Sequence, residues 1–505
     1  MQRSHLLVPA LLLVTLAPSA YLAWRFRAMP HLRATGDDQL YLVSGKSLAE
    51  NRGYRILSLP GEPFQTKYPV LYPLWLSLLW RLAPGFPGNL PLFMLASYVF
   101  LPIYVIALRR TFLSLRFEPA ESWLLCALAV MNPAVLAAAT SVGPDLACSF
   151  LILVVLLLLD DSGRRGPERV VLAGVLSGAA CLLRSAVFPA LLTAPLYLLW
   201  RRGRARALLF VSAMAPFVVG WGLWARAHQP TAGDATTLFY TNYLGDFLLH
   251  FSWSRAPGLA LNNLRSVLEY AGMSAAFVAA IAAPALLGGL SIVGAAWLAR
   301  RRGVTPYHVF AAAYLAMLVI WPYKPLLRYL LPVLPLISAG LGSLVLRLVR
   351  STAPRHARPM GLAALSALCC ASAALGFSTY HADLQRFESG LAAERAAYAW
   401  IRDHLPSSAR FVAAHDGVLY LYTGRQATMY EPLKEFYLEP RQIGTWRQNL
   451  PQFARSRGAG YAFCDARLCA GALSEQETPL ARAVLREHYR EIFRIGEVTV
   501  YELAE

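Results

Sequence analysis

Long apolar runs separated by short clusters of arginine constrain this chain more than any other feature. Hydrophobic residues make up 57% of its 505 residues and charged residues only 15%, with a mean hydropathy of +0.44. A soluble domain carries about 25% charged residues, so the composition indicates a polytopic membrane protein. The formal net charge of +18 could suggest nucleic-acid binding. Arginines that flank apolar runs, however, are typical of the pattern that orients membrane helices, so we expect no nucleic-acid partner.

The apolar runs predict eleven membrane spans. Their approximate ranges are 6–24, 90–108, 120–140, 146–159, 170–183, 187–200, 207–225, 271–299, 308–321, 329–346 and 360–378. Arginine clusters such as Arg109–Arg110 and Arg300–Arg302 occupy every second loop, which places those loops in the cytoplasm. The N-terminus is then cytoplasmic and the C-terminus extracytoplasmic. A signal peptide cleaved near Ala20 is the alternative for the first run, and it leaves the following loop outside as well.

Three extramembrane segments exceed tight turns, and all three fall on the outer side. They are the first outside loop (residues 25–89), the second outside loop (residues 226–270) and the tail (residues 379–505). In the first outside loop, Tyr72–Leu82 predicts a helix that lies along the membrane surface. In the tail, the alternating segments 410–415 and 497–502, together with helical stretches, predict a small α/β domain. The predicted organisation is a transmembrane module over 1–378 followed by an extracytoplasmic domain over 379–505.

Cys464 and Cys469 lie close together in the tail, whereas the other five cysteines lie in apolar runs. An oxidising extracytoplasmic compartment permits a disulfide between such neighbours, and we predict one here. The five cysteines of the apolar runs are predicted to be inert, buried residues. Two cysteines without matching histidines make a poor zinc site.

Two adjacent carboxylates, Asp37 and Asp38, follow the first apolar run. A carboxylate near the hydrocarbon boundary costs a few kcal/mol unless it is paired or hydrated, so these two suggest a functional site. The alternative is structural, because aspartate is a good N-cap and its charge favours the start of a helix near Gln39. The residues alone leave both interpretations open.

Asp145 begins a short apolar run, Leu146–Leu159, whose 14 residues reach only about 21 Å as a helix. The hydrocarbon layer is about 30 Å thick. The next outside hairpin turns at Arg184 between two further short runs. We therefore expect Asp145 and Arg184 to face one recessed outer cavity. A structural ion pair between them is the alternative, and it would not exclude a functional role.

Lysine is rare in this chain, and the predicted topology places every lysine outside. Among 47 lysine and arginine residues, the lysines are Lys46, Lys67, Lys324 and Lys434. Lys324 and Arg328 stand among aromatic residues at the last outside hairpin, where cations either bind a lipid phosphate or anchor a helix end by snorkelling. Together with Lys67 and Arg184, these cations would hold a phosphate leaving group while an outside carboxylate accepts a proton. The combination indicates glycosyl transfer from a lipid-linked sugar phosphate.

The outside loops resemble those of the GT-C glycosyltransferases, and most nearly the family 39-like group of bacterial protein mannosyltransferases and aminoarabinose transferases. The resemblance rests on Asp37-Asp38-x-x-Tyr41, Ala49–Tyr54, Lys67-Tyr68-Pro69-x-x-Tyr72-Pro73, Asp145 and Arg328-Tyr329-x-x-Pro332-x-x-Pro335. By span order and loop pattern it covers about residues 1–350, and the tail is similar to the periplasmic domains of many members. It implies a multi-span helical fold with interfacial helices, a polyprenyl-phosphate sugar donor and inversion at the anomeric carbon.

Carried over by position, the resemblance makes Asp37 the catalytic carboxylate that accepts the acceptor proton or orients its hydroxyl. Asp38 stands where the family often has glutamate and is the other candidate for the catalytic carboxylate, so the choice between Asp37 and Asp38 stays open. Tyr41 lies one helical turn beyond Asp37. Asp145 would shape the site or hold a cation. The residues alone also allow retention through a covalent carboxylate intermediate, and only the resemblance argues for inversion.

Lys67, which Tyr68 follows, matches the lysine that lies beside the donor phosphate in aminoarabinose transferases. The residue before that lysine is a metal-binding glutamate in those enzymes, whereas Thr66 stands here. A divalent metal cofactor is therefore left open. His228 and His250 in the second outside loop are not assigned as ligands, because a lone loop histidine is usually just solvated.

Two other function classes stay open. A transporter or lipid flippase would also have many spans with intramembrane charges, although no matched half-repeats stand out. An oligosaccharide polymerase or ligase would use a diphosphate-linked glycan. A lysine-poor sequence rich in alanine, arginine, glycine and proline fits a GC-rich bacterial genome, so we predict the bacterial plasma membrane. The sugar stays open, as does the acceptor, which could be lipid A, a protein or a cell-envelope glycan.

Overall fold

The computed structural model describes residues 2–161, 166–230, 235–321, 325–430, 443–465, 468–469 and 478–503. Its α-helices, in chain order, are α1 (Gln2–Arg25), α2 (Asp37–Ala49), α3 (Leu71–Leu82), α4 (Leu90–Tyr98), α5 (Phe100–Ser114), α6 (Pro119–Val130), α7 (Pro133–Thr140), α8 (Asp145–Asp161), α9 (Glu168–Leu183), α10 (Phe188–Arg202), α11 (Arg204–His228), α12 (Ala235–Thr241), α13 (Tyr243–His250), α14 (Ala256–Ala275), α15 (Pro284–Arg302), α16 (Pro306–Ile320), α17 (Leu334–Thr352), α18 (Ala357–His404), α19 (Asp416–Thr423), α20 (Ile443–Ser456) and α21 (Thr478–His488). Its strands are β1 (Arg410–Val412), β2 (Gln426–Thr428), β3 (Tyr461–Cys464), β4 (Arg490–Ile495) and β5 (Val498–Glu502). Short 3₁₀ turns occupy Ser185–Val187, Phe277–Ala280, Leu327–Leu330 and Pro354–His356. The predicted helical membrane fold with a small sheet in the tail is confirmed.

Several of the helices are long and apolar enough to cross a membrane. Among the described residues there are five, within Val8–Arg25, Leu90–Ser114, Arg204–His228, Leu334–Thr352 and Pro354–His404. The pair α6 and α7, bent by 67°, would together make a sixth. Other predicted spans form shorter helices, including α8 with 17 residues, α9 with 16 and α10 with 15. The span predicted over 271–299 is not one helix, because the chain breaks between α14, which ends at Ala275, and α15, which begins at Pro284. The count of eleven spans stays a prediction.

Two compact units divide the chain. The first unit contains residues 1–27, 94–223 and 252–382, and the second contains residues 28–93, 224–251 and 383–505. The boundary predicted near residue 378 lies close to the last switch between the units. The second unit, however, contains most of the first outside loop and part of the second as well as the tail. Within the second unit, the first outside loop contacts the tail, for example where Gln39 accepts a hydrogen bond from the Val418 backbone N–H. The division into a module over 1–378 and a domain over 379–505 stays a prediction.

In the first unit, helices approach each other closely where glycine leaves room. A Cβ atom on Gly288 of α15 would stand 1.9 Å from the carbonyl oxygen of Leu268 in α14. A Cβ atom on Gly340 of α17 would stand 2.0 Å from the carbonyl oxygen of Ser291. Membrane helices associate through close van der Waals contact between small residues, because lipid gives them no hydrophobic driving force. These contacts hold α14, α15 and α17 together.

In the second unit, the first outside loop forms a helical pair. The predicted helix 72–82 is α3, which buries Tyr72, Leu76 and Trp80 at helical spacing. Trp80 Nε1 donates a hydrogen bond to the Leu42 carbonyl of α2 at 3.1 Å. The opposite side of α3 exposes Leu74, Leu78 and Leu82. An exposed apolar row of this kind suits a membrane surface, and its placement there stays a prediction.

The tail forms a five-stranded sheet in the order β2-β1-β3-β5-β4. Strand β1 runs parallel to β2 and β3, whereas β5 runs antiparallel to β3 and β4. The alternating segments predicted as strands are β1 and β5, whose Phe411 and Tyr501 are fully buried. The alternating sequence of β5 predicted a half-buried strand, whereas the structure buries all of Val498, Thr499, Val500 and Tyr501. The pattern therefore predicted the strand correctly but not the burial of both its faces.

Candidate functional site

The two adjacent carboxylates of the first outside loop both lie in the first turn of α2. The helix begins at Asp37, earlier than the start predicted near Gln39, with Gly36 at the N-cap. The Thr35 hydroxyl accepts a hydrogen bond from the backbone N–H of Asp38 at 3.3 Å. Asp38 is fully buried, and its Oδ2 accepts a hydrogen bond from the backbone N–H of Arg33 at 2.7 Å. Its Oδ1 accepts one from the backbone N–H of Gln39 at 2.9 Å. Asp38 is therefore occupied in holding the backbone that leads into α2.

Asp37 faces an aromatic hydroxyl. It is half-buried, and its Oδ1 accepts a hydrogen bond from the Tyr68 hydroxyl at 2.6 Å. Tyr41, one turn further along α2, has its ring centroid 5.1 Å from that of Tyr68 and 5.4 Å from that of Tyr72. Burial, and secondarily the charge of Asp37, raise the pKa of Tyr68 well above its usual value. The phenol therefore keeps its proton and orients the Asp37 carboxylate.

Lys67 is buried among residues of the second outside loop. Its ammonium donates a hydrogen bond to the Phe239 carbonyl. The same Nζ lies 4.1 Å and 4.7 Å from the ring centroids of Phe239 and Tyr243. Burial lowers the pKa of Lys67 to about 8, and the charges of Asp246 and Asp37 partly oppose that shift. At neutral pH Lys67 is mostly protonated, so it can offer a positive charge to a phosphate.

Asp246 is a residue of this cluster that the sequence interpretation missed. It is fully buried in the first turn of α13. The side chain of Asn242 caps that helix by accepting a hydrogen bond from the Gly245 backbone N–H at 2.8 Å. The sequence could have pointed to Asp246, because it is an acidic residue just inside a capped apolar helix of a loop predicted to lie outside. The sequence pattern does not show which cation Asp246 faces.

The described residues around Lys67 do not fit a resident metal. No group of three or more histidine, cysteine, aspartate or glutamate side chains that could hold a metal occurs in the described part of the chain. Thr66 donates its hydroxyl to the Thr241 carbonyl at 2.6 Å. The His228 ring stacks on Trp224 with centroids 4.5 Å apart. The side chain of His250 lies outside the described residues, and we derive no step through a metal.

The first unit contains a separate set of predicted site residues. Arg184, at the end of α9, forms an ion pair with Asp145, at the start of α8, and these side chains are 16% and 12% exposed. The guanidinium of Arg184 lies 5.6 Å from the ring centroid of Tyr329, and that of Arg328 lies 5.5 Å from the same ring. Asp145 and Arg184 thus form the ion pair that was the alternative interpretation, and a recessed outer cavity that both residues face stays a prediction. Lys324 falls outside the described residues.

The sulfur atoms of Cys464 and Cys469 lie 2.01 Å apart, a bonded distance. The remaining cysteines are free, and Cys370 alone among them is exposed. Oxidation of the pair in the cell stays a prediction.

Solved structures of other proteins share this fold. ArnT from Cupriavidus metallidurans bound to undecaprenyl phosphate aligns with a TM-score of 0.54 and 14% identity, over 92% of this chain and 93% of that chain. Its apo form gives a TM-score of 0.52 over 92% of both chains, also at 14% identity. An oligosaccharyltransferase from Archaeoglobus fulgidus in complex with Zn and sulfate gives 0.52 at 11% identity, over 90% of this chain and 67% of that chain.

No protein-family model matches the sequence, and no curated protein matches it significantly. The likeness to solved structures, at these identities, establishes the fold. That fold is the one found in ArnT and in the archaeal oligosaccharyltransferase, and the chain combines it with helices that are long and apolar enough to cross a membrane.

Proposed function

We propose that this protein is a membrane-embedded glycosyltransferase that moves a sugar from a polyprenyl-monophosphate donor to an extracytoplasmic acceptor. The observation that carries the proposal is the cluster of Asp37, Tyr68 and Lys67. It combines a half-buried carboxylate, a phenol that orients it and a buried cation. The fold supports the same assignment, since ArnT, a neighbour in fold, has been solved with undecaprenyl phosphate, a lipid monophosphate.

In the proposed reaction Asp37 acts as the general base. Its carboxylate takes the proton of an acceptor hydroxyl, whose oxygen forms a bond to the anomeric carbon of the sugar. The bond from that carbon to the phosphate oxygen breaks, and polyprenyl phosphate leaves with the electron pair. Lys67 stabilises the charge that develops on the leaving phosphate. A single displacement of this kind inverts the anomeric carbon, as the resemblance to family 39-like enzymes implies.

The cations of the first unit are proposed donor-binding residues as well. A guanidinium can donate to several oxygens at once, because it carries five N–H groups, and that of Arg184 pairs with Asp145. Arg328 lies against the same tyrosine ring as Arg184. We expect Arg184 and Arg328 to contact the anionic part of the lipid donor, with Asp145 holding Arg184 in place. Lys324 stays a proposed member of this set from sequence alone.

Transfer of a labelled sugar tests the assignment of Asp37. Purified wild type and Asp37→Asn would be given a cell-envelope extract with either synthetic polyprenyl-monophosphate sugars or, in parallel reactions, diphosphate-linked glycans. The products would be separated into lipid, protein and polysaccharide. Asparagine keeps the size of the side chain but cannot take up the proton, so transfer should fall about 100-fold or more. The fraction that gains label identifies the acceptor class.

The matched control is Asp383→Asn, which alters an exposed carboxylate of α18 (47% exposed). It should transfer at the wild-type rate. Equal activity of wild type and Asp37→Asn would rule out Asp37 as the base. Transfer from diphosphate-linked glycans alone would favour the polymerase or ligase class. Folded wild type that uses no lipid donor would favour a transporter.

A further inference from the structure

The tail contributes a buried ion-pair cluster to the segment that leads into α2. Arg33 is buried, and its guanidinium binds both carboxylate oxygens of Glu394 in α18. Arg33 Nη1 also lies 3.5 Å from Asp465 Oδ2, and the side chains of Glu394 and Asp465 are each 3% exposed. A two-pronged contact between arginine and a carboxylate fixes orientation as well as distance. The position of Arg33 is therefore set by the tail.

Asp465 is itself held firmly. Its Oδ1 accepts a hydrogen bond from the Leu468 backbone N–H at 2.7 Å, and its backbone N–H donates to the Leu468 carbonyl at 2.9 Å. Arg482 of α21 donates to the carbonyl oxygen of Asp465. These contacts fix the position of the Asp465 carboxylate beside the Arg33 guanidinium.

The backbone of Arg33 reaches the other way, into the candidate site. Its N–H donates to Asp38 Oδ2 at 2.7 Å. Its φ of 122° lies in a region that residues other than glycine rarely adopt. Such a conformation persists only where the surrounding structure fixes it. Arg33 thus connects Glu394 and Asp465 of the tail with Asp38, the neighbour of Asp37.

A second contact from the tail reaches the same turn independently. Gln39 Oε1 accepts a hydrogen bond from the Val418 backbone N–H of α19 at 3.0 Å. A Cβ atom on Gly417 would stand 3.0 Å from the Cβ atom of Gln39, so α19 and α2 touch at this point. Gln39 Nε2 also donates to the Gly36 carbonyl at 3.2 Å. The tail therefore fixes residues on both sides of Asp37.

We propose that the tail positions the catalytic carboxylate, with Arg33, Glu394, Asp465 and Gln39 as positioning residues that set the rotation of the first turn of α2 and the aim of Asp37. The proposal rests on the proposed glycosyl transfer and adds to it a requirement for the tail in the chemical step. None of the four residues needs to touch the reacting atoms. Lys67 is held by the Phe239 carbonyl of the second outside loop, and that loop meets the tail at a separate contact, the hydrogen bond from the Tyr240 hydroxyl to Asp416. Donor binding should therefore not depend on the cluster around Arg33.

The test uses full-length protein with Glu394→Gln, Arg33→Lys and Gln39→Met. Glu394→Gln removes the charge that binds Arg33, Arg33→Lys keeps the charge but loses the two-pronged contact, and Gln39→Met removes the independent contact to Val418. Glu502→Gln is the matched control, because its carboxylate pairs with Arg490 on the exposed face of the same tail, with side chains 37% and 75% exposed. The readouts are kcat, the donor KM, and hydrogen exchange of peptides that cover residues 33–45.

A small displacement of a catalytic group can reduce the rate about 100-fold. We expect kcat to fall about 10- to 100-fold in Glu394→Gln and Gln39→Met, with the donor KM unchanged and faster exchange in the first turn of α2. The kcat of Arg33→Lys should lie between the values of these variants and that of wild type, and the kcat of Glu502→Gln should equal that of wild type. If Glu394→Gln does not fold, Arg33→Lys and Gln39→Met decide the question.

Unchanged kcat in the folded variants, or a raised donor KM at unchanged kcat, would overturn the positioning role. A wild type that transfers no sugar would refute the proposed function instead. In that case hydrogen exchange still tests the mechanical link, since undisturbed protection of residues 33–45 in all three variants would show that the tail does not hold α2.

Discussion

Asp37 and Asp38 are neighbours in the chain, yet their surroundings assign them different tasks. Asp38 is fully buried and accepts hydrogen bonds from two backbone N–H groups, which commits it to structure. Asp37 is half-buried and accepts a hydrogen bond from the phenol of Tyr68. A carboxylate that serves as general base needs access to the proton that it abstracts. On this ground we assign the base to Asp37 and a supporting role to Asp38.

The pKa of Lys67 predicts a pH dependence. Because burial lowers that pKa to about 8, Lys67 loses its proton as the pH rises through about 8. It then loses the charge that, in the proposed reaction, stabilises the phosphate. A sugar phosphodiester keeps the same charge over this range, and Tyr68 titrates far higher. The kcat/KM for the donor reports the free enzyme, so it should fall on the alkaline side of about pH 8.

Two variants test whether Lys67 is the group whose titration lowers the donor kcat/KM. In Lys67→Arg the side chain stays charged at every pH used, so the fall in donor kcat/KM above about pH 8 should disappear. Asp246→Asn removes a carboxylate whose charge raises the pKa of Lys67. In this variant the fall in donor kcat/KM should therefore begin at lower pH. If donor kcat/KM falls at the same pH in wild type, Lys67→Arg and Asp246→Asn, the group that titrates is not Lys67.

At the scale of single elements, the sequence predicted those features that depend on local pattern. The helix 72–82 and the strands near 410 and 498 follow from apolar periodicity, and all three are present. Lys67 was singled out because lysine is rare in the chain. Glu394 and Asp246 were missed, because the groups they face lie far away in sequence. The ion pair of Glu394 with Arg33 spans 361 residues, and no local pattern encodes such a pairing.

The glycine contacts between α14, α15 and α17 make a prediction at the same scale. Gly288→Ala places a methyl group 1.9 Å from the Leu268 carbonyl oxygen, so the helices must separate and stability should fall by about 1–3 kcal/mol. Gly289→Ala is the control, since a Cβ atom there would meet nothing within 4 Å. Thermal unfolding in detergent should show a lower midpoint for Gly288→Ala only. Equal midpoints for the two variants would contradict the close approach of α14 and α15.

At the scale of the whole molecule, the predicted odd number of spans and the arginine pattern predict a tail outside the plasma membrane. The structure contains helices that are apolar enough to cross a membrane, and the side on which the tail lies can be measured in cells. Cys464 and Cys469 offer that measurement, because disulfides persist outside the cytoplasm and are rare within it.

We therefore expect Cys464 and Cys469 to be joined in protein taken from bacterial membranes. The protein would be denatured with a thiol-alkylating reagent present and no reductant, digested, and analysed by mass spectrometry. Peptides containing Cys464 and Cys469 should appear linked and unalkylated, whereas Cys370 and the four buried free cysteines should all be alkylated and so serve as internal controls. Reduction before alkylation should convert the linked peptides to alkylated ones. Alkylated Cys464 and Cys469 in the unreduced sample would place the tail in a reducing compartment, which would reverse the predicted topology and remove Asp37 from the side where a flipped lipid donor presents its sugar.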